Sequence, residues 1–211
     1  MIGTRVESNS KIGLGKMHKI ITVVALSLLT ASSAWGGPFG VNKGDKIQNY
    51  PAAIDRGDQM YGLPNVPKPH PLFTSYSVEA ADGVGICRIH ASSEPFDDDR
   101  FGIAAKQRYG EVRDQLVAIY GKGGGTDGEF IRDGALWDGP EEFVMALKQN
   151  ERVHQTWWSQ ENGAKLKDGI KSIALAIKAL NGSTSMLVIQ YAFDNEQECR
   201  QAAEAASKSA L

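Results

Sequence analysis

The sequence predicts an α+β domain in two layers, a mainly antiparallel sheet of about five or six strands with helices covering one face. Three observations predict it. Apolar residues alternate along 73–80, 84–91, 152–159, 170–180 and 186–193, the period-two pattern of half-buried strands. The last two stretches are joined by Asn181-Gly182-Ser183-Thr184, a short turn with the Asn-Gly pair that favours hairpins. Helical spacing of apolar residues occurs near 103–120, 140–149 and 195–208, which supplies the second layer.

The amino end reads differently from the rest. Met17-His18-Lys19 precedes the apolar run Ile20 to Ala31, and Ala34-Trp35-Gly36 offers small residues where a signal peptidase cuts. A positive start, a short apolar core and a small-x-small site predict a cleaved secretory signal over 1–36. The run is shorter than the ~20 residues of a membrane span, and no lipoprotein cysteine follows it. Met17 is a second candidate initiator. The whole chain carries a net charge of −2. Arg5, Lys11, Lys16 and Lys19 against Glu7 give the signal segment +3, so the mature chain carries −5. No basic field is left for nucleic acid or anionic lipid. The expected address is the periplasm or the exterior, with no membrane anchor after cleavage.

Residues 37–71 form a Gly/Pro-rich segment, with short helices expected near 45–50 and 52–58. Pro64, Pro67, Pro69 and Pro71 make an extended connector, and His70 between two of them reads as solvent-facing. The α+β domain proper is expected over 72–211. On the strand 84–91, Cys87 and Ile89 share one face, opposite Ile86, Arg88 and His90.

Asp97-Asp98-Asp99 invites a calcium-loop reading, which fails on spacing. Asp97, Asp99 and Gly102 fit positions 1, 3 and 6, but Phe101 and Arg108 stand where ligands are required. An acidic helix start is predicted instead. That helix presents Tyr109, Val112, Leu116 and Ile119 to the core and ends at Gly121. The cluster Gly121-Lys-Gly-Gly-Gly-Thr-Asp-Gly128 lacks the order of a phosphate loop and reads as a flexible loop, followed by a short strand over 129–133. Pro140 opens the second helix.

The hairpin 170–193 has one oily face, Ile173, Leu175, Ile177 and Ala179 with Leu187, Ile189, Tyr191 and Phe193. Ser172, Ala174, Ala176, Val188, Gln190 and Ala192 on the other side are mostly small or polar. The closing helix, capped by Asp194, turns Cys199, Ala202, Ala203 and Ala206 toward the sheet. Cys87 and Cys199 are the only cysteines, and an even pair in an exported chain predicts a disulfide. Two buried thiols are the alternative.

Chemistry is thinly signalled. There is no nucleophile elbow, no H-E-x-x-H and no C-x-x-C, and His70, His90 and His154 stand apart in sequence. No catalytic residue, metal or cofactor is assigned. The best constellation is His154 with Trp157 and Trp158, because surface aromatics stack on sugars or cap apolar ligands. The plainer reading makes one tryptophan a core anchor and puts the other under a loop. The expected role is a non-catalytic module that binds an envelope protein or a small ligand. The rival is an envelope hydrolase using His154 or His90 with a nearby serine or aspartate.

Gly37-Pro-Phe-Gly-Val41, Pro67-Lys-Pro-His-Pro-Leu-Phe73, Ile119-Tyr-Gly121, Trp137-Asp138 and Glu151-Arg152 carry a resemblance to a family of small exported bacterial (periplasmic) proteins of no assigned activity. The resemblance spans most of the mature chain. It implies an exported α+β domain and transfers no catalytic or binding residue.

Overall fold

The computed structural model describes residues 36–209; apart from Gly36, the predicted signal segment lies outside them. Eight strands form one sheet: Ile54–Asp55 (β1), Met60–Gly62 (β2), Phe73–Ala81 (β3), Gly85–Ser93 (β4), Gly124–Ile131 (β5), Arg152–Ser159 (β6), Ile170–Ala179 (β7) and Ser185–Phe193 (β8). Their order is β1-β2-β3-β4-β8-β7-β6-β5, and every neighbouring pair is antiparallel. Three helices, Ile103–Tyr120 (α1), Phe143–Lys148 (α2) and Glu196–Ser209 (α3), complete the α+β fold.

The sheet has more strands than the expected five or six. Two come from 37–71, where a 3-10 turn at Ile47–Asn49 and the short β1 and β2 replace the expected helices. Strands this short carry no readable period. The third departure is β5, which runs through the glycine cluster read as a loop. Ladder hydrogen bonds are made by the backbone, so a glycine-rich stretch can still pair at an edge. Its register with β6 slips between Gly124 and Gly128.

Directly paired residues of antiparallel strands share a face. Val78, Ile89, Tyr191, Ile173 and Trp158 therefore form one row across five strands, and Tyr76, Ala91, Ile189, Leu175 and Thr156 the next. These rows make up the front face, against which α1 and α2 pack. α1 buries Ala105, Tyr109, Val112, Leu116 and Tyr120. The expected Ile119 is 55% exposed and Tyr120 takes its place, the stripe drifting by one residue at the last turn. Asp99 holds the start of α1, accepting from Ile103 N at 2.7 Å and Ala105 N at 3.0 Å. Of the three acidic residues Asp99 thus serves the helix, while Asp97 accepts from the Thr184 hydroxyl at 3.1 Å. Gly102, at φ 65°, has no space for a side chain, since an added Cβ would lie 2.2 Å from the Phe143 ring.

α3 lies elsewhere. The sequence placed all three helices on one face, with Cys87 beside Ile89. In β4, however, Arg88 pairs with Glu79 and Ile86 with Ala80, leaving Cys87 as an extra residue in the ladder. This β-bulge turns Cys87 and Arg88 to the same side and returns Ile86 to the front core with Ile89. Cys87 joins a separate small cluster with Ala81 and Cys199, flanked by Val84 and Ala202. α3 is thereby docked on β3 and β4 from the reverse side. The expected disulfide is present, Cys87 to Cys199, with Cα atoms 6.5 Å apart. Asp194 does not cap α3 but pairs with Lys43 at 2.8 Å.

Ala203 and Ala206 are exposed, so α3 buries little apolar area and depends on its covalent tie. Replacing both cysteines by alanine should lower unfolding free energy by up to about 4–5 kcal/mol, the chain-entropy figure for so long a loop. Hydrogen exchange of 196–209 should accelerate while β7 and β8 stay protected. Unchanged protection of α3 in the double variant would contradict the clamp.

Candidate functional site

The residues singled out from sequence separate on folding. Trp158 is fully buried on the front face, and its indole N–H donates to Gly121 O at 3.0 Å. Trp157, one position earlier, points to the reverse face and is 44% exposed. One tryptophan anchors the core and the other is presented to solvent.

His154 shares the front face with Trp158. Its ring stands edge-on to Tyr109 at 4.5 Å and to Phe143 at 5.7 Å. Tyr109 in turn shares a 2.6 Å hydrogen bond with Thr156. Nδ1 of His154 lies 3.9 Å from Glu129 and is buried without a hydrogen-bond partner. Burial pushes the imidazole pKa below its ordinary value, aided by the nearby Lys106, Arg113 and Arg152 and opposed by Glu129. A neutral histidine between two aromatic rings is a packing residue of the α1–α2 junction.

His90 is on the reverse face, its Nε2 3.1 Å from Glu79 Oε1. Glu79 also accepts two hydrogen bonds from Arg88, at 2.6 and 2.8 Å. Burial raises the Glu79 pKa, but the hydrogen bonds from His90 and Arg88 outweigh it and leave the carboxyl below the usual range. Arg88 bonds Glu196 as well, and Lys171 reaches Glu196 at 3.5 Å. Among the described residues, no serine, threonine or cysteine side chain is hydrogen-bonded to the ring of His90 or His154. His70 is tied to Gln115 at 3.2 Å and accepts from Leu72 N at 3.2 Å.

The reverse face supplies the largest concavity described. Its rows follow from the register: Trp157, Ala174, Gln190, His90 and Ser77 in one, and Ser159, Ser172, Ala192, Arg88 and Glu79 in the next. Small residues in the middle leave a trough between Trp157 and the Arg88 side. The resulting groove has a volume of 770 Å³, within the range of small-molecule sites. Ser172, Gln190 and Ala192 lie at its floor, Trp157 at one wall and Arg88 with Glu196 of α3 at the other. The segment after β6 forms the rim. There Asn162 bonds back to Trp157 O at 3.0 Å and accepts from Ser159 N at 2.9 Å, which fixes the strand end that carries Trp157.

Sequence reasoning found Trp157 and missed Arg88, Ser172, Gln190 and Glu196. The available signal was the small and polar side of the 170–193 hairpin.

The depressed His154 pKa has a definite sign. Below the ordinary value of 6.5 the unfolded chain binds a proton that the folded chain refuses, so stability falls as pH falls through that window. The His154→Phe variant should lose this dependence, seen as a smaller difference in urea midpoint between about pH 7 and about pH 5 than in the parent. An equal drop in both proteins would exclude His154 as the cause.

Comparison of the chain with protein-family models, curated proteins and solved structures finds no significant match.

Proposed function

We propose that this chain is an exported, non-catalytic binding module of the bacterial envelope, and that its ligand enters the groove on the reverse face of the sheet. The observation that carries this reading is a half-exposed tryptophan beside a trough of small and polar residues, in a sheet whose other face packs against α1 and α2. A purely structural sheet face has no need to keep a large indole exposed beside Ala174 and Ser172. Export is supported by the apolar run after Lys19, the small residues at Ala34-Trp35-Gly36 and the disulfide. The resemblance to small exported bacterial proteins points the same way. Among the described residues no helix is long and apolar enough to cross a membrane.

The hydrolase reading gains no support from the geometry. His90 is engaged by Glu79 beside a bound arginine, and His154 is held between aromatic rings.

Two substitutions test the proposal. Trp158→Ala should cost about 3–5 kcal/mol of stability, as large aromatic deletions in cores do. Trp157→Ala should stay within about 0.5 kcal/mol of the parent and abolish capture of material from envelope extracts. Capture unaffected by Trp157→Ala would remove the groove from the reading. Expression of the full chain in a bacterial host should release a processed form into the periplasm; an uncleaved cytoplasmic product would remove the envelope.

A further inference from the structure

We infer that the groove takes a neutral saccharide chain, with a sugar ring stacked on Trp157 and its hydroxyls bonded by Gln190 and Ser172. This rests on the reading of the reverse face as a binding groove and adds the chemical class of its ligand.

Charge is the first argument. Arg88, Lys167 and Lys171 line the groove together with Glu161, Asp194 and Glu196, so the lining has no net charge. Several of these groups are engaged within the protein: Arg88 with Glu79 and Glu196, Lys171 with Glu196, and Asp194 with Lys43. An anionic or cationic ligand would meet no excess field and would have to displace existing partners.

The floor is the second. A serine hydroxyl donates and accepts, and a glutamine amide presents two donors and a carbonyl. Gln190 and Ser172 therefore offer both senses of hydrogen bond within one trough, which matches a polyhydroxylated ligand. A wholly apolar ligand would bury these groups without partners, at a cost.

Trp157 is the third. Its neighbour across the ladder is Ala174, so the indole flank toward Gln190 is not covered by a large side chain. Strands lie about 4.8 Å apart, which puts roughly 10 Å between the Trp157 and Gln190 strands. A pyranose ring has apolar C–H faces and a polar rim. One face fits the indole while the rim meets the floor. The site lies on the outer surface of a sheet, so a chain can extend beyond the bound ring.

Isothermal titration of the mature, oxidised protein tests the inference, with maltotriose, cellotriose and tri-N-acetylchitotriose as neutral probes. Trigalacturonic acid and the glucosamine trimer serve as charged counterparts. At least one neutral trisaccharide should bind with little salt dependence, more tightly than either charged one. Trp157→Ala should weaken it by about tenfold or more, the scale of a lost aromatic contact, and Trp157→Phe should restore much of the loss. Gln190→Ala should also weaken binding. Each variant's circular dichroism and thermal midpoint show whether it is folded as the parent. No binding of any neutral probe, or tighter salt-sensitive binding of a charged one, would overturn the inference. Capture from envelope extracts separates the two levels. Trp157-dependent capture that excess neutral saccharide fails to displace overturns the saccharide alone. Absence of any Trp157-dependent capture overturns the groove with it.

Discussion

The extra residue in β4, where Cys87 and Arg88 both stand opposite Glu79, is the constraint on which both faces of the sheet depend. Without it, strict alternation would put Cys87 in the front core beside Ile89 and turn Ile86 toward solvent. The bulge lets one strand supply Ile86 and Ile89 to the layer under α1 and still present a cysteine and an arginine behind it. The cysteine fastens α3. The arginine ties Glu196, at the start of that helix, to Glu79 on the sheet. An alanine-rich helix that could not hold its place by apolar area alone is fixed by a covalent bond at one point and by ion pairs one turn away.

That placement divides labour between the faces. The front is closed by α1 and α2 and filled by large side chains, among them Trp158, Tyr109, Phe143 and Phe193. Even its histidine is desolvated and held neutral. The reverse face carries alanine, serine and glutamine through its middle, bounded by Trp157 on one side and α3 on the other. α3 is thus a wall of the groove more than a lid on the core. Its charged groups are largely satisfied among themselves, which leaves stacking and neutral hydrogen bonding as the forces available to a ligand.

Much of the architecture is legible in the sequence because it rests on periodic patterns. The period-two stretches gave β3, β4, β6, β7 and β8 nearly to their ends, and the helical spacing gave α1 and α2. The alternation of the 170–193 hairpin even separated the oily face from the small polar one. The disulfide followed from an even count of cysteines in a chain whose amino end reads as an export signal. What escaped was non-periodic. A single-residue bulge inverts a strand's faces without altering its composition, so α3 was expected on the wrong side. The glycine-rich β5 pairs through backbone groups that leave no side-chain signature. Of the site, Trp157 was visible as an aromatic in a strand. Arg88, Ser172, Gln190 and Glu196 come from three strands and a helix, and converge only through the register. His154 and Trp158 were grouped with Trp157 as neighbours in sequence, although the alternation of 152–159 already separates them. It puts Trp157 with Val153 and Gln155 on one face and His154, Thr156 and Trp158 on the other, as the register has it.

The side of the sheet on which α3 docks is open to direct measurement. Nuclear Overhauser contacts from the Cys199 β-protons and the Ala202 methyl should reach the methyls of Ala81 and Val84, on the reverse face. Contacts from the same protons to Ile89, Val112 or Leu116 would place the helix over the front core, and both the bulge and the groove it walls would have to be abandoned.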